Sequence, residues 1–307
     1  MDGLVIVDKP TGLTSHDVVA RARRVTRIRA IGHAGTLDPM ATGVLVLCIG
    51  QATRLSEYLL GEDKTYLAQV RLGARSNTDD AEGEITPGVA PDFSPARLRE
   101  GLTALTGPQM QVPPQFSAIQ RDGQRAYALA RKGEHIELAA RPVHVHALSW
   151  VDAQALVASD DRWAGDGPPE SITLRMRVSS GTYVRSLARD LGEALGCGGL
   201  LSGLRREAAG AFTLAESVPL DDFLAAGADW PRHLLPMTRA VPALARRDLD
   251  ADEARRIAQG QFLASRDADG PAEGTLLRLH APGGALLAIG RVSAGQVRPD
   301  KVFTITA

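Results

Sequence analysis

The chain has 307 residues, 44% of them hydrophobic, and a formal net charge of −1. That apolar content excludes a disordered chain, and the length suits two domains better than one. The near-zero charge excludes a uniformly basic nucleic-acid coat, though not a local basic patch, and two cysteines are too few for a disulfide framework.

The N-terminal residues carry no basic segment ahead of a long apolar run, and no stretch approaches the roughly 20 apolar residues of a membrane span. A soluble, cytoplasmic chain is therefore expected. Residues 4–7 are a short apolar run that stops at Asp8-Lys9-Pro10-Thr11-Gly12, which predicts a strand and then a turn. Ser15 is the expected N-cap of a helix over 16–27. Val18, Val19, Ala22 and Val25 form one face of that helix; Arg21, Arg23, Arg24 and Arg27 form the other, where solvation and phosphate binding are equally good readings. A glycine-bearing loop over 32–43 feeds the apolar run 44–49, expected as a buried strand. Helical spacing returns over 53–60, residues 65–72 alternate as a strand does, and 77–83 is an acidic, turn-rich segment.

Ser94-Pro95 opens another helix, a cap followed by a first-turn proline. Residues 107–116 are proline-rich and expected to be extended, 124–132 to be a helix, and 143–151 a strand. Residues 159–170 read as a surface loop without core-forming content. Residues 172–178 alternate cleanly, and a helix follows Gly181 to about residue 195. The composition shifts over 231–242. Beyond it, a helix over 251–259 and short strands at 276–280, 286–291 and 302–305 predict a small, mostly β appendage. The main domain mixes strands and helices without strict βαβ alternation, which predicts an α+β fold with a mixed sheet.

The loop over 32–43 holds three glycines, a proline, a histidine and one carboxylate. Asp38 precedes Pro39, which biases its backbone toward an extended conformation, and the glycines permit close approach of a ligand. Spacing alone reads Asp38 as a turn residue at least as readily as a reactive one.

The run Gly32-His33-Ala34-Gly35-Thr36-Leu37-Asp38-Pro39-Met40-Ala41-Thr42-Gly43 resembles the catalytic signature of the TruB family of tRNA pseudouridine synthases. Other segments follow in that family's order: Asp8-Lys9-Pro10-Thr11-Gly12, Lys64-Thr65-Tyr66, Asp80-Ala81-Glu82-Gly83, Pro113-Pro114-Gln115-Phe116-Ser117-Ala118, Arg125-Ala126-Tyr127, Arg141-Pro142, Gly181-Thr182-Tyr183-Val184-Arg185 and Leu204-Arg205-Arg206. The match runs from about residue 2 to 220, and its many ordered motifs carry more weight than any one of them. It implies the pseudouridine synthase fold, a mixed and mostly antiparallel sheet flanked by helices, over 1–235. A PUA-like, β-barrel RNA-binding domain follows over 240–307, on the weaker motifs Ala251-Asp252-Glu253, Gly260-Gln261 and the ending Val297 to Phe303.

The resemblance implies that Asp38 is the nucleophile, that Arg185 pairs with it, and that Tyr66 stacks on the target base. Such a carboxylate must stay charged where water is excluded, which a neighbouring guanidinium favours. It further implies that Asp80 contacts the uracil edge, His33 the displaced nucleotides, Tyr183 and Leu204 the pocket wall, and that Lys9 lies near the site. Arg121, Arg125, Arg131, Lys132 and Arg141 fall in a segment that resembles the family's stem-loop grip on the RNA backbone. The substrate would be the uridine at position 55 of the tRNA T-loop, turned out of its stack. The acceptor end would lie on the C-terminal domain. No cofactor or metal is expected, because reactant and product are isomers. A monomer without an obligate protein partner is expected, with tRNA folding as an accessory role. The chain departs from the family pattern at Gln120, at Asn77 and Thr78, and at Lys301, the last leaving an acceptor-arm contact in doubt.

Overall fold

The computed structural model describes residues 1–117, 120–121, 124–125, 138–151, 156–157, 162–163, 167–264 and 271–304. Its main element is a mixed sheet. The strands used below are β1 (Gly3–Lys9), β2 (Ile31–His33), β3 (Thr42–Ile49), β4 (Lys64–Leu72), β5 (Gly107–Gln111), β6 (Arg141–Trp150), β7 (Ser171–Val178), β8 (Gly199–Ala209) and β9 (Val218–Pro219). Their spatial order is β9-β1-β3-β8-β4-β7-β6-β5, with β2 on β3 and a short strand, Phe212–Thr213, on β8. Only the β1–β9 and β3–β8 junctions are parallel, so the sheet is mixed and mostly antiparallel, as expected.

Helices α1 (Ser15–Thr26), α2 (Pro95–Ala104) and α3 (Val184–Ala194) cover one face. Val18, Val19, Leu98, Leu102, Leu187 and Leu191 join Val5, Leu45 and Val70 in one core. The opposite face of β1 and β3 is also covered. Leu4, Ile6, Val44 and Val46 pack with Leu286, Ile289 and Phe303 of the C-terminal unit. Covering on both sides explains why these two strands read as unbroken apolar runs. Strand β4 is buried mainly on one side, and it alternates.

The C-terminal unit is a five-stranded sheet: β10 (Ala245–Asp248), β11 (Leu263–Ala264), β12 (Leu276–His280), β13 (Leu286–Ser293) and β14 (Gln296–Val302), in the order β10-β12-β13-β14-β11. Its helix α4 (Ala251–Ala258) starts with a capping box of Asp250 and Glu253. Leu249, Ile257, Leu277, Leu279 and Val297 give the unit a core of its own, as a small PUA-like β domain requires. Polar contacts also fasten it to the segment over 50–60 that follows β3. The Gln51 amide exchanges hydrogen bonds with the Thr304 backbone (2.8 and 2.7 Å), and Lys301 pairs with Glu57 at 2.5 Å. The departing lysine of the sequence therefore joins the two units.

Several expectations need correction. Helix α1 is capped by Thr14, not Ser15: the Thr14 side chain accepts from the Asp17 amide at 3.0 Å, and Asp17 returns the bond at 2.9 Å. Ser15 faces inward instead. The helix expected over 53–60 begins as a 3-10 turn, Gly50–Leu55, before Ser56–Leu60. Gln124–Arg125, expected to start a helix, pair as a strand with Gln120–Arg121, and the remainder of that segment, 126–132, lies outside the described residues. The last strand ends at Val302 rather than starting there, because Phe303 turns into the core. Within the 159–170 segment, Trp163 is half-buried and donates to the Phe93 carbonyl at 2.7 Å, with its ring edge-on to Phe93 and Trp150.

Candidate active site

The loop between β2 and β3 is pinned along its length. Every residue from 34 to 41 has a backbone group in a hydrogen bond, so the loop has one defined path. Ala34 N–H bonds to Val46, and Ala41 N–H to the Asp38 carbonyl. The Ser15 hydroxyl accepts from Leu37 N–H at 2.8 Å and donates to its carbonyl at 3.1 Å. The Pro39 carbonyl accepts from Gly12 N–H at 2.8 Å and from Lys9 Nζ at 3.3 Å, and Thr11 bonds to the Met40 carbonyl. Gly35 and Thr36 offer their carbonyls to Arg206 at 3.1 and 3.3 Å, and the same guanidinium donates to Val44 at 2.6 Å.

Arg206 is 1% exposed, and backbone carbonyls are its hydrogen-bond partners. It stands in a row of cross-strand partners: Lys9 on β1, Gly43 on β3, Arg206 on β8, Tyr66 on β4 and Met176 on β7. Gly43 makes that row possible. Its φ is +101°, and a Cβ there would collide with the Arg206 backbone.

The Asp38 carboxylate, 35% exposed, projects from this fixed loop. Its Oδ2 meets Arg185 Nε at 3.1 Å. Arg185 lies in the first turn of α3 and is 8% exposed as a residue. Its Nη1 lies 3.3 Å from Asp80 Oδ2 and donates to the Thr78 carbonyl at 3.2 Å, while Nη2 donates to the Phe116 carbonyl at 3.1 Å. Asp80 is 3% exposed, and its other oxygen accepts from the Thr78 hydroxyl (2.6 Å) and the Glu82 amide (3.0 Å). One guanidinium thus bridges two carboxylates, and among the described residues Asp38 Oδ1 has no hydrogen-bond partner. That oxygen is the one left open beside the ion-paired cluster.

The surroundings shift the charges nearby. Burial lowers the Lys9 pKa, and Asp38 acts against that fall. Burial raises Glu82, with Asp80 and Asp38 adding to the rise. Burial also raises the Tyr183 phenol, opposed by Arg141 and Arg185. His33 is lowered by burial, by His16, whose ring lies 5.3 Å away edge-on, and by Arg206. The Gln111 amide holds the start of α3, donating to the Tyr183 carbonyl (3.1 Å) and accepting from its N–H (2.8 Å).

Of the residues picked from sequence, Asp38, Arg185 and Asp80 form one bonded cluster, Lys9 supports the loop, and Tyr183 adjoins Arg185 in chain and in charge. His33 ends β2 at the loop's entry, and Tyr66 and Leu204 sit on the adjacent strands β4 and β8. Arg141 is exposed at the start of β6. Arg121 and Arg125 belong to a short strand pair, and Arg131 and Lys132 lie outside the described residues. The residue missed is Arg206. Strand alternation holds the clue: neighbours take opposite faces, so one of two successive arginines must turn inward. Arg205 pairs with Asp8 at 2.7 Å at a half-exposed position, and Arg206 is the inward one.

Among the described residues, no helix is long and apolar enough to cross a membrane, and no group of three His, Cys, Asp or Glu side chains is placed to hold a metal. Residues 23–184 match the TruB family pseudouridylate synthase N-terminal domain. Residues 185–242 match the tRNA pseudouridylate synthase B C-terminal domain, and 246–303 the pseudouridine synthase II TruB C-terminal domain. The chain is 45% identical to tRNA pseudouridine synthase B of Thermobifida fusca over 98% of both chains. It is 43% identical to that of Cupriavidus metallidurans, over 99% of this chain and 94% of the relative. Among solved structures it resembles an H/ACA RNP bound to a substrate RNA containing 2′-deoxyuridine, at TM-score 0.71, 22% identity and coverage of 99% and 85%. It also resembles a Cbf5-Nop10-Gar1 complex, at TM-score 0.71, 24% identity and coverage of 98% and 85%. At these identities the structural likeness concerns the fold.

Proposed function

The chain belongs to the TruB family of pseudouridylate synthases and isomerises uridine to pseudouridine in tRNA; within that activity, we propose that Asp38 is the nucleophile and that the target is the T-loop uridine at position 55. The reaction exchanges one glycosidic bond for another. The N1–C1′ bond breaks, a C5–C1′ bond forms, C5 loses its proton and N1 gains one. A carboxylate that attacks the nucleoside and is later released allows this exchange in two steps. The observation that supports the assignment most is the bridge Asp38–Arg185–Asp80, in which one Asp38 oxygen is paired and the other is free.

In this reading the target base leaves its stack and enters beside Asp38, at a cost of a few kcal/mol. Tyr66 stacks on it, which is worth about 1–3 kcal/mol, and Leu204 and Tyr183 line the pocket. Asp80 reads the uracil edge, and His33 touches the displaced nucleotides. The segment carrying Arg121, Arg125, Arg131, Lys132 and Arg141 grips the stem-loop backbone. We assign catalysis to residues 1–235 and binding of the acceptor end to 240–307. The enzyme acts alone, as a cytoplasmic monomer. Incubating the purified chain with an unmodified tRNA transcript tests this: pseudouridine should form at the T-loop uridine without added protein. A requirement for a second protein, or modification elsewhere in the tRNA, would refute it.

A further inference from the structure

Several exposed arginines among the described residues are matched by carboxylates. Arg75 pairs with Glu193, Arg175 with Glu207 and Arg177 with Asp63, all within 3 Å. The end of α1 is different. Arg24, Arg27 and Arg29 are exposed, and among the described residues none of them has an ion-pair partner. From these unmatched charges we infer that Arg24, Arg27 and Arg29 form a second RNA surface, which binds backbone phosphates of the substrate tRNA beside the target uridine.

Folding does not account for this cluster. Arg24 and Arg27 are three residues apart, where like charges repel. The negative end of the helix dipole favours cations in the last turn, and this accounts for Arg24. It does not account for Arg29, which lies beyond the helix end. Arg27 is the C-cap, in the left-handed conformation at φ 58°, where glycine is the least strained residue. A long cationic side chain at that position is costly to the fold and useful to an anionic ligand.

The cluster is also near His33, at the entry to the Asp38 loop. Strand β2 runs from Ile31 to His33, so His33 lies four positions after Arg29. An extended chain spans at most about 3.3–3.6 Å per residue, so Arg29 is no more than about 14 Å from His33, the distance of a short run of nucleotides. The other end of α1 is fixed to the Asp38 loop through Ser15 and Leu37. Arg23 donates to the Ile31 carbonyl at 2.7 Å and so ties the helix to β2. The patch is therefore rigidly connected to the loop that presents Asp38. A polyanion seated at that loop, the substrate's own backbone, has the charge that complements this patch.

This inference rests on the tRNA reading above. The test compares the full chain with a triple variant, Arg24→Gln, Arg27→Gln and Arg29→Gln, and a triple Arg→Lys variant at the same positions. Dissociation constants for tRNA are measured across a salt series, together with pseudouridine formation at saturating tRNA. Each phosphate contact contributes about 0.7–0.9 to the slope of log affinity against log salt. The Gln variant should lower that slope by about 2–3, with unchanged turnover at saturation, and the Lys variant should keep the wild-type slope. A wild-type slope in the Gln variant overturns the inference, whatever else the patch captures. So does a loss of affinity with an unchanged slope, or a Lys variant that behaves like the Gln one. If the wild-type chain does not modify tRNA, the underlying reading fails instead.

Discussion

Replacing Arg206 with methionine keeps most of the side-chain volume and removes the cation. Three carbonyls, of Val44, Gly35 and Thr36, then lose a donor at a position that is 1% exposed. A buried acceptor left unpaired costs about 1–3 kcal/mol. The contact to Thr36, at 3.3 Å, is the weakest of the three, so a total of about 3–5 kcal/mol follows. In a chain of this size that corresponds to a fall in melting temperature of roughly 5–8 °C. The catalytic effect should be larger. The lost bonds lie on both sides of Asp38, and displacement of a reacting group by an ångström costs about 100-fold in rate. Thermal melts and single-turnover assays on tRNA measure the two effects separately. The expected pattern is a large loss of kcat with little change in KM, since Arg206 is buried and does not meet the RNA. Arg206→Lys should recover only part of the loss, because an ammonium lacks the planar fork that reaches three carbonyls. A methionine variant with wild-type melting temperature and wild-type kcat would refute the argument.

Asp80→Asn keeps the shape of its site but leaves Arg185 with one carboxylate partner. It should destabilise the fold by about 2 kcal/mol and reduce turnover, measured by melting and by single-turnover kinetics. Gly43→Ala forces a Cβ into the Arg206 backbone at a positive φ, and the variant should be at least 2–3 kcal/mol less stable, read from denaturant unfolding. Lys64 is buried and its pKa is lowered to about 8 by burial, with Arg206 acting in the same direction. Its unfolded value is 10.5, so between those values the unfolded chain holds a proton that the folded chain has lost. Stability therefore rises with pH across that window, by roughly 3 kcal/mol in all, and the charged form weighs on the fold below it. Lys64→Met should abolish this rise in a series of unfolding curves from pH 7 to 11.

The strands beside β8 were easier to read than β8 itself. Strands β1 and β3 are apolar runs because cores lie on both of their faces, and β4 alternates because only one of its faces is buried to that degree. Strand β8, at the middle of the sheet, gave no such signal. Its side chain at the centre is an arginine satisfied by carbonyls, and two bulges, between Leu201 and Gly203 and between Arg206 and Ala208, break its alternation. The position of Asp38 could be read from its motif, but its link to Arg185 could not be derived from spacing. The two residues meet only because α3 packs over β8 beside the pinned loop. Thr14 displaced Ser15 as the cap of α1 because the serine hydroxyl serves the Leu37 backbone. Trp163 looked like part of a polar loop, yet its indole found a carbonyl and two aromatic rings far away in the chain.

Whether one carboxylate carries the chemistry is decided by mapping pseudouridine in a tRNA transcript after incubation with the wild-type chain or with Asp38→Asn, while tRNA affinity is measured for both. The arrangement of Asp38 against Arg185 predicts full conversion by the wild type, and none by the asparagine variant at undiminished affinity. Conversion by the asparagine variant at a rate near that of the wild type would contradict it.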